Sequence, residues 1–131
     1  MEYIFNDGGR SLYFKGSAND CVTRAISIVT GRDYKQIYDE LFVLTGESPR
    51  NGVQTRSAKV KRYFQQQGLR WYSTMNIGQG CTVHLRAEEL PAGRLICKTS
   101  KHLVAVIDGV IHDTHDCSRD GSRCVYGYWI Q

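Results

Sequence analysis

The Asp108-Gly109 pair lies between two runs of β-branched and apolar residues and predicts a tight β-hairpin. Both central residues of a type I′ turn need a positive φ, and aspartate followed by glycine is typical of such turns. Residues 102–107 and 110–115 are therefore expected to be paired strands. With a two-residue loop, the pairing of every residue further from the turn is fixed.

This register predicts a cluster of polar side chains on one face of the hairpin. Val104 faces Asp113 and His102 faces His115, and alternation along each strand places His102, Asp113 and His115 on the same side. Asp113 then lies diagonally beside His102, at a backbone separation of roughly 7–8 Å. A carboxylate there can accept an imidazole N–H, fix its tautomer and stabilise the imidazolium. The hairpin thus supplies a candidate base and a residue that orients it.

The candidate nucleophile is Cys21, in the first turn of a helix predicted over residues 21–30. A thiol at that position feels the positive end of the helix dipole, which lowers its pKa from about 8.5 and favours the reactive thiolate. The free backbone N–H groups of the same turn can donate to an oxyanion. Asp20 is expected to cap this helix, and Gly31 to end it. The helix is predicted from apolar residues at helical spacing, namely Val22, Ala25, Ile26 and Val29.

Two segments of the chain resemble papain-like cysteine peptidases. They are residues 19–26, Asn-Asp-Cys-Val-Thr-Arg-Ala-Ile, and residues 102–109, His-Leu-Val-Ala-Val-Ile-Asp-Gly, followed by Asp113. The likeness covers most of the chain and is closest to the branch typified by bacteriocin leader peptidases and related phage and bacterial proteins. It implies that Cys21 is the nucleophile, His102 the general base and acid, and Asp113 the third member of a triad. It also implies a peptide or protein substrate and no cofactor.

One position departs from the pattern of that family. A glutamine about six residues before the cysteine usually donates to the oxyanion, and Lys15 stands there in this chain. Asn19 is the nearest amide that could replace it and is the candidate oxyanion residue. The runs over 48–53 and 84–91 also resemble small phage proteins with the look of a cysteine peptidase.

The order of the other predicted elements indicates an α+β fold in a single domain over residues 1–131. Helices come first and strands follow, so we expect N-terminal helices packed on an antiparallel sheet, and the resemblance implies that this fold is papain-like. Asp33 should cap the second helix, which ends at Gly46. The third helix is predicted over 55–67, and further strands over 69–75, 82–85, 94–99 and 126–130.

Composition predicts one folded core in a reducing compartment. The chain has 131 residues, 41% of them hydrophobic, which suffices for one sizeable core. It shows neither a secretory signal nor an apolar stretch of about 18 residues, so we expect a cytoplasmic protein without a membrane partner, in the host cytoplasm if phage-encoded. The odd number of cysteines, five, favours reduced thiols.

Basic residues gather on and just beyond the third helix, and the formal net charge is +4. The cluster is typical either of a nucleic-acid or acidic-partner surface or of an ordinary solvated helix face. The second interpretation is favoured, because the pI near 8.9 is only mildly basic and no nucleic-acid-binding motif accompanies the cluster. A nucleic-acid partner is therefore not expected. The cluster consists of Arg56, Lys59, Lys61, Arg62 and Arg70.

Metal binding is an alternative use of the same region. His112, His115, Cys117 and Cys124 are all zinc-ligand types, but their spacing is not a standard one, and the hairpin register turns His112 away from His115. The set of two histidines and one carboxylate on the other face would suit an open metal site. If neither set binds a metal, which is our expectation, Cys117 and Cys124 are inert thiols.

Together these features predict a cysteine-dependent hydrolase, peptidase- or isopeptidase-like, that forms a thioester on Cys21. An acyltransferase would use the same residues. A binding protein that keeps the fold after losing turnover, such as a phage factor acting on a host partner, is the alternative that Lys15 favours. No feature of the sequence indicates an oligomeric state.

Overall fold

The protein consists of three α-helices packed on a six-stranded sheet. The computed structural model describes residues 1–131. The helices are α1 (Cys21–Thr30), α2 (Tyr34–Thr45) and α3 (Ala58–Gln66), and the strands are β1 (Glu2–Phe5), β2 (Arg70–Ser73), β3 (Arg94–Thr99), β4 (His102–Ile107), β5 (Val110–Asp113) and β6 (Gly127–Ile130).

The sheet is mixed, and the expectation of a purely antiparallel sheet was wrong. Its strand order is β1-β5-β4-β3-β6-β2, and β1 pairs with β5 in parallel while all other pairs are antiparallel. Strand β1 was missed in the sequence because it is only four residues long and its partner lies more than a hundred residues later. The α+β class is confirmed.

Local sequence signals account for α1 and α2. Helix α1 ends at Gly31, which takes a left-handed conformation with φ of 75° that glycine adopts without steric cost. The side chain of Asp33 caps α2 by accepting a hydrogen bond from the backbone N–H of Gln36. Both bounds agree with the sequence prediction.

Several predicted bounds need correction. Strand β5 ends at Asp113 rather than at residue 115, so His115 does not pair with His102, and β2 is shorter than the predicted 69–75. Helix α3 begins at Ala58 rather than at residue 55, because the Ser57 hydroxyl accepts from the Val60 N–H at 3.2 Å and caps the helix there. Residues 82–85 are not a strand: His84 forms only an isolated bridge with Cys124. The backbone N–H of His84 donates instead to the Glu89 carboxylate.

The sheet buries apolar side chains on both faces. On one face all three helices pack against strand residues such as Ile96, Leu103 and Ala105. On the other face Val104, Val106 and others are covered by loop residues, including Leu85, Leu90 and Val125. Strand β4 therefore runs through the middle of the core, which fixes the position of its first residue, His102.

The expectation that all cysteines are reduced was wrong for two of them. Cys81 and Cys124 form a disulfide, with their Cα atoms 5.9 Å apart. The odd cysteine count gave no sign of this pair, because the loops that carry the two residues are brought together only by the fold. Cys21, Cys97 and Cys117 are free thiols. None of the helices has the length and apolarity that a bilayer crossing requires.

Candidate active site

The hairpin has the predicted register and brings His102 and Asp113 together. Ile107 pairs with Val110 across the Asp108-Gly109 turn. At the other end, His102 Nε2 lies 2.6 Å from Asp113 Oδ2. The His102 side chain retains 13% of its exposure and the Asp113 side chain 5%, so the carboxylate is buried behind a ring that solvent still reaches.

Cys21 is the first residue of α1, and it lies at the end of the sheet where β4 begins. Helix α1 packs on β4, so the thiol faces the His102 ring and the backbone N–H of Leu103. Cys21 is half-buried. Cys21 and Asp113 thus lie on the imidazole of His102, so the predicted triad is assembled from a helix and two paired strands.

The ring of His102 is held in its protonated form. Burial lowers the pKa of His102, but the hydrogen bond with Asp113, the neighbouring thiols of Cys117 and Cys21, and the charge of Asp113 raise it to about 11. The pKa of Asp113 responds in the opposite sense: burial raises it, but His102, the Thr114 N–H and Arg24 hold it below its ordinary value. His102 and Asp113 therefore form a buried ion pair at neutral pH.

The Cys21 thiol is shifted towards the thiolate. Burial raises the pKa of Cys21, but His102, the Leu103 N–H and the positive charge of Arg24 outweigh that effect and lower it below its ordinary value. A lowered thiol pKa next to a raised imidazole pKa favours a thiolate–imidazolium pair. By contrast, burial and the nearby Cys117 thiol raise the pKa of Cys97, which keeps that thiol unreactive.

Asp20 does not cap α1, contrary to the prediction. Its side chain makes no hydrogen bond to the first turn, because its carboxylate is buried between two arginines. Arg10 Nε and Arg24 Nε each lie 3.0 Å from one of its oxygens, and the Tyr34 hydroxyl donates to it at 2.5 Å. A buried carboxylate needs such partners.

Arg24 connects the buried carboxylate of Asp20 to Asp113. Its Nη1 lies 3.2 Å from Asp113 Oδ1 and donates to Thr114 Oγ1 at 2.8 Å. A chain of alternating charges therefore runs from Arg10 through Asp20, Arg24 and Asp113 to His102. Sequence reasoning missed this network, although the (i, i+4) spacing of Asp20 and Arg24 on α1 was a signal for part of it.

The first turn of α1 offers oxyanion donors. The first backbone hydrogen bond of the helix is donated by the Arg24 N–H to the Asp20 carbonyl. The N–H groups of residues 21–23 therefore have no acceptor within the helix, and the Asp20 side chain does not accept from them. They are therefore free to donate to a developing negative charge beside the thiol. This donor set does not require a side-chain amide.

The two predicted oxyanion positions lie in different surroundings. Asn19 is exposed, its backbone N–H donates to the Arg50 carbonyl, and its side-chain amide lies against Gly52. Lys15 is exposed, and only its carbonyl accepts a hydrogen bond, from Arg10. Neither side chain makes a hydrogen bond with Cys21.

Of the two candidate sets of metal ligands, only the second converges in the structure. His112 lies against Asn6, and Cys124 is in the disulfide, so the first set does not converge. In the second set, the ligand atoms of His102, Asp113 and His115 lie within 4.8 Å of one another, and the rings of His102 and His115 are 5.4 Å apart. A cation there would have to compete with Arg24 for the Asp113 carboxylate.

Sequence reasoning also missed Cys117 as a neighbour of the site. Its buried thiol lies beside His102 and contributes to the raised pKa of the ring. The residue follows the end of β5 in a loop, so no periodic pattern indicated its direction.

Comparisons of this chain with protein-family models, with curated proteins and with solved structures find no match. The chemistry of the site is therefore the basis for assigning its function.

Asp20→Asn is expected to destabilise the fold by about 3–5 kcal/mol, because it leaves Arg10 without its only buried counter-charge and removes one of the two that Arg24 contacts. The matched control is Asp39→Asn, which removes an exposed (i, i+4) ion pair with Lys35 and should cost at most about 1 kcal/mol. Urea unfolding of the two variants measures both values, and equal losses would contradict a structural role for the buried network.

The His102 ring is expected to stay protonated through neutral pH, with a pKa of about 11. In Asp113→Asn the pKa should fall sharply, because burial remains while the counter-charge is gone. NMR titration of the His102 ring in the parent protein and in the variant measures this. Titration of His102 near its ordinary value of 6.5 in the parent protein would be the contrary result.

Proposed function

We propose that this protein is a cysteine-dependent hydrolase that cleaves an amide bond through a thioester on Cys21. The observation that carries the proposal is the single imidazole, His102, with a thiol of lowered pKa on one side and a buried carboxylate on the other. Nucleophile, proton carrier and orienting group are the three parts that such catalysis needs.

In the first step the Cys21 thiolate attacks the carbonyl carbon of the substrate, and a C–S bond forms as the carbonyl π electrons move to oxygen. The N–H groups of residues 21–23 donate to that oxyanion. The C–N bond then breaks, and the imidazolium of His102 gives its proton to the leaving nitrogen. The amine departs, and Cys21 carries a thioester.

In the second step water attacks the thioester carbon. His102, now neutral, takes a proton from the water, a C–O bond forms, and the C–S bond breaks. The carboxylic acid product leaves, and the thiolate–imidazolium pair is restored. If an amine took the place of water, the same residues would transfer the acyl group, so the acyltransferase alternative shares the first step.

Asp113 has an orienting role in this scheme. Its Oδ2 accepts from His102 Nε2, which leaves Nδ1 as the nitrogen that exchanges the proton with thiol, leaving group and water. The hydrogen bond of Asp113 with Arg24 keeps the carboxylate from rotating away. The pair therefore fixes both the tautomer and the direction of the ring.

The order of these groups along the chain supports a papain-like fold and a peptide or protein substrate. Cysteine opens the first helix, histidine begins a late strand, and aspartate lies on the next strand, as in papain-like cysteine peptidases. The exposed Lys15 favours the alternative of a binding protein that has lost turnover, because it supplies no side-chain amide to the oxyanion. The free N–H groups of α1 favour the enzyme.

Peptide cleavage is expected for the parent protein and not for Cys21→Ala. A mixture of synthetic peptides of varied sequence is incubated with each, and new termini are identified by mass spectrometry, together with any acyl adduct on Cys21. His102→Ala should slow cleavage by about 10²–10⁴-fold, since it removes the proton carrier.

The matched control is His84→Ala, since His84 is also paired with a carboxylate, Glu89, at 3.2 Å but lies outside the site. It should cleave at the parent rate. Cleavage that persists in Cys21→Ala, or a parent protein that neither cleaves nor forms an acyl adduct, would overturn the proposal.

A further inference from the structure

A cleft lies on the helix side of the sheet, between α3 and strands β2, β3 and β6, away from the site around Cys21. Its volume is about 850 Å³, within the range of roughly 300–1,000 Å³ that small-molecule sites occupy. It is lined by strand residues, among them Lys98 and Trp129, by residues of α3 and by the segments that precede and follow that helix. It uses none of the residues of the proposed triad.

The lining of this cleft is strongly basic. Arg56, Lys61, Arg70 and Lys98 all contribute to it, and no carboxylate does. None of the four takes part in an ion pair, whereas Arg10, Arg24 and Arg32 elsewhere each have a carboxylate partner. Four unneutralised cations around one concavity focus a positive potential into it.

Lys98 distinguishes this cluster from a solvated helix face. It lies on β3, where it pairs with Leu103 and Gly127, and it is half-buried. Burial lowers the pKa of Lys98, and the charges of Arg56 and Lys61 lower it further. The fold therefore holds these like charges close together at a cost in repulsion, which a bound anion would relieve.

The cleft also has an aromatic wall. Trp71 and Trp129 pack on each other with ring centroids 4.5 Å apart, and Trp71 remains 45% exposed. Trp129 is anchored in the core against Phe64, so the exposed part of Trp71 stands on a rigid base. An exposed indole beside cations is suited to stacking a planar ring whose substituents are negative.

We propose that this cleft binds a small ligand that combines a planar ring with phosphate groups, of the nucleoside di- or triphosphate class. The phosphates contact Arg56, Lys61, Arg70 and Lys98, and the ring stacks on Trp71. The guanidinium groups of Arg56 and Arg70 can bind phosphate oxygens in pairs. The volume of about 850 Å³ favours a small molecule over a nucleic acid strand, which needs a basic track several nucleotides long. The exposed indole of Trp71 favours a ligand with a planar ring over an acidic peptide.

The two tryptophans that line the cleft are the only ones in the chain, so intrinsic fluorescence reports on this site directly. ATP in EDTA is titrated into the full-length protein with excitation at the red edge of the indole band, at constant ionic strength. We expect saturable quenching by ATP. Pyrophosphate should displace ATP, and adenosine alone should bind more weakly than ATP.

Two variants of equal charge change test the assignment. Arg56→Gln with Lys61→Gln removes cations from the cleft and should raise the Kd for ATP by about tenfold or more. Lys59→Gln with Arg62→Gln removes two exposed cations of the same helix that do not line the cleft, and it should leave the Kd little changed. Cys21→Ala should bind ATP as the parent does, so the result is independent of the proposed hydrolysis.

Three results would overturn the proposal. The first is the absence of saturable quenching at millimolar ATP. The second is an equal loss of affinity in the two double variants, which would indicate attraction by net charge alone. The third is tighter binding of an acidic peptide or of a short single-stranded oligonucleotide than of ATP, which would assign the cleft to that class of partner.

Discussion

The position of Cys21, the proposed nucleophile, depends on one buried arginine. Arg24 lies on α1, one turn after Cys21, and its guanidinium contacts Asp20, the residue before the helix, and Asp113 on β5. Buried charges are costly unless they are paired, so these contacts strongly disfavour any sliding or rotation of α1 against the sheet. The same contacts hold the Asp113 carboxylate against His102. Cys21 and His102 are therefore aligned by a charge that touches neither of them.

The alternation of charge explains how a carboxylate can lie next to a cysteine whose pKa is lowered. Asp20 precedes Cys21 directly, and an uncompensated negative charge there would raise the pKa of the thiol. Two arginines and the Tyr34 hydroxyl bind its oxygens. The field at the thiol is then dominated by His102, by Arg24 and by the start of the helix, all of which favour the thiolate.

Local chemistry made much of this arrangement predictable. The Asp108-Gly109 turn fixes the hairpin register, and that register alone brings Asp113 to His102. The start of α1 at Cys21 follows from apolar spacing. The parts that were missed depend on contacts between distant segments: β1 pairs with β5, Cys81 joins Cys124, and Arg10 reaches Asp20 from a short 3₁₀ helix over Arg10–Leu12. The Asp20 capping prediction was wrong because a tertiary ion pair competed with a local hydrogen bond.

The central claim is that His102 activates Cys21, and the rate of iodoacetamide alkylation at Cys21 against pH tests it most directly. The rate is resolved by site with mass spectrometry in the parent protein and in His102→Ala, with Cys97 and Cys117 as internal references. Because only the thiolate reacts, the account predicts fast labelling of Cys21 with an inflection below the ordinary thiol pKa, moving upward when His102 is removed and burial is left unopposed. Slow labelling of Cys21 that does not respond to His102 would contradict the account.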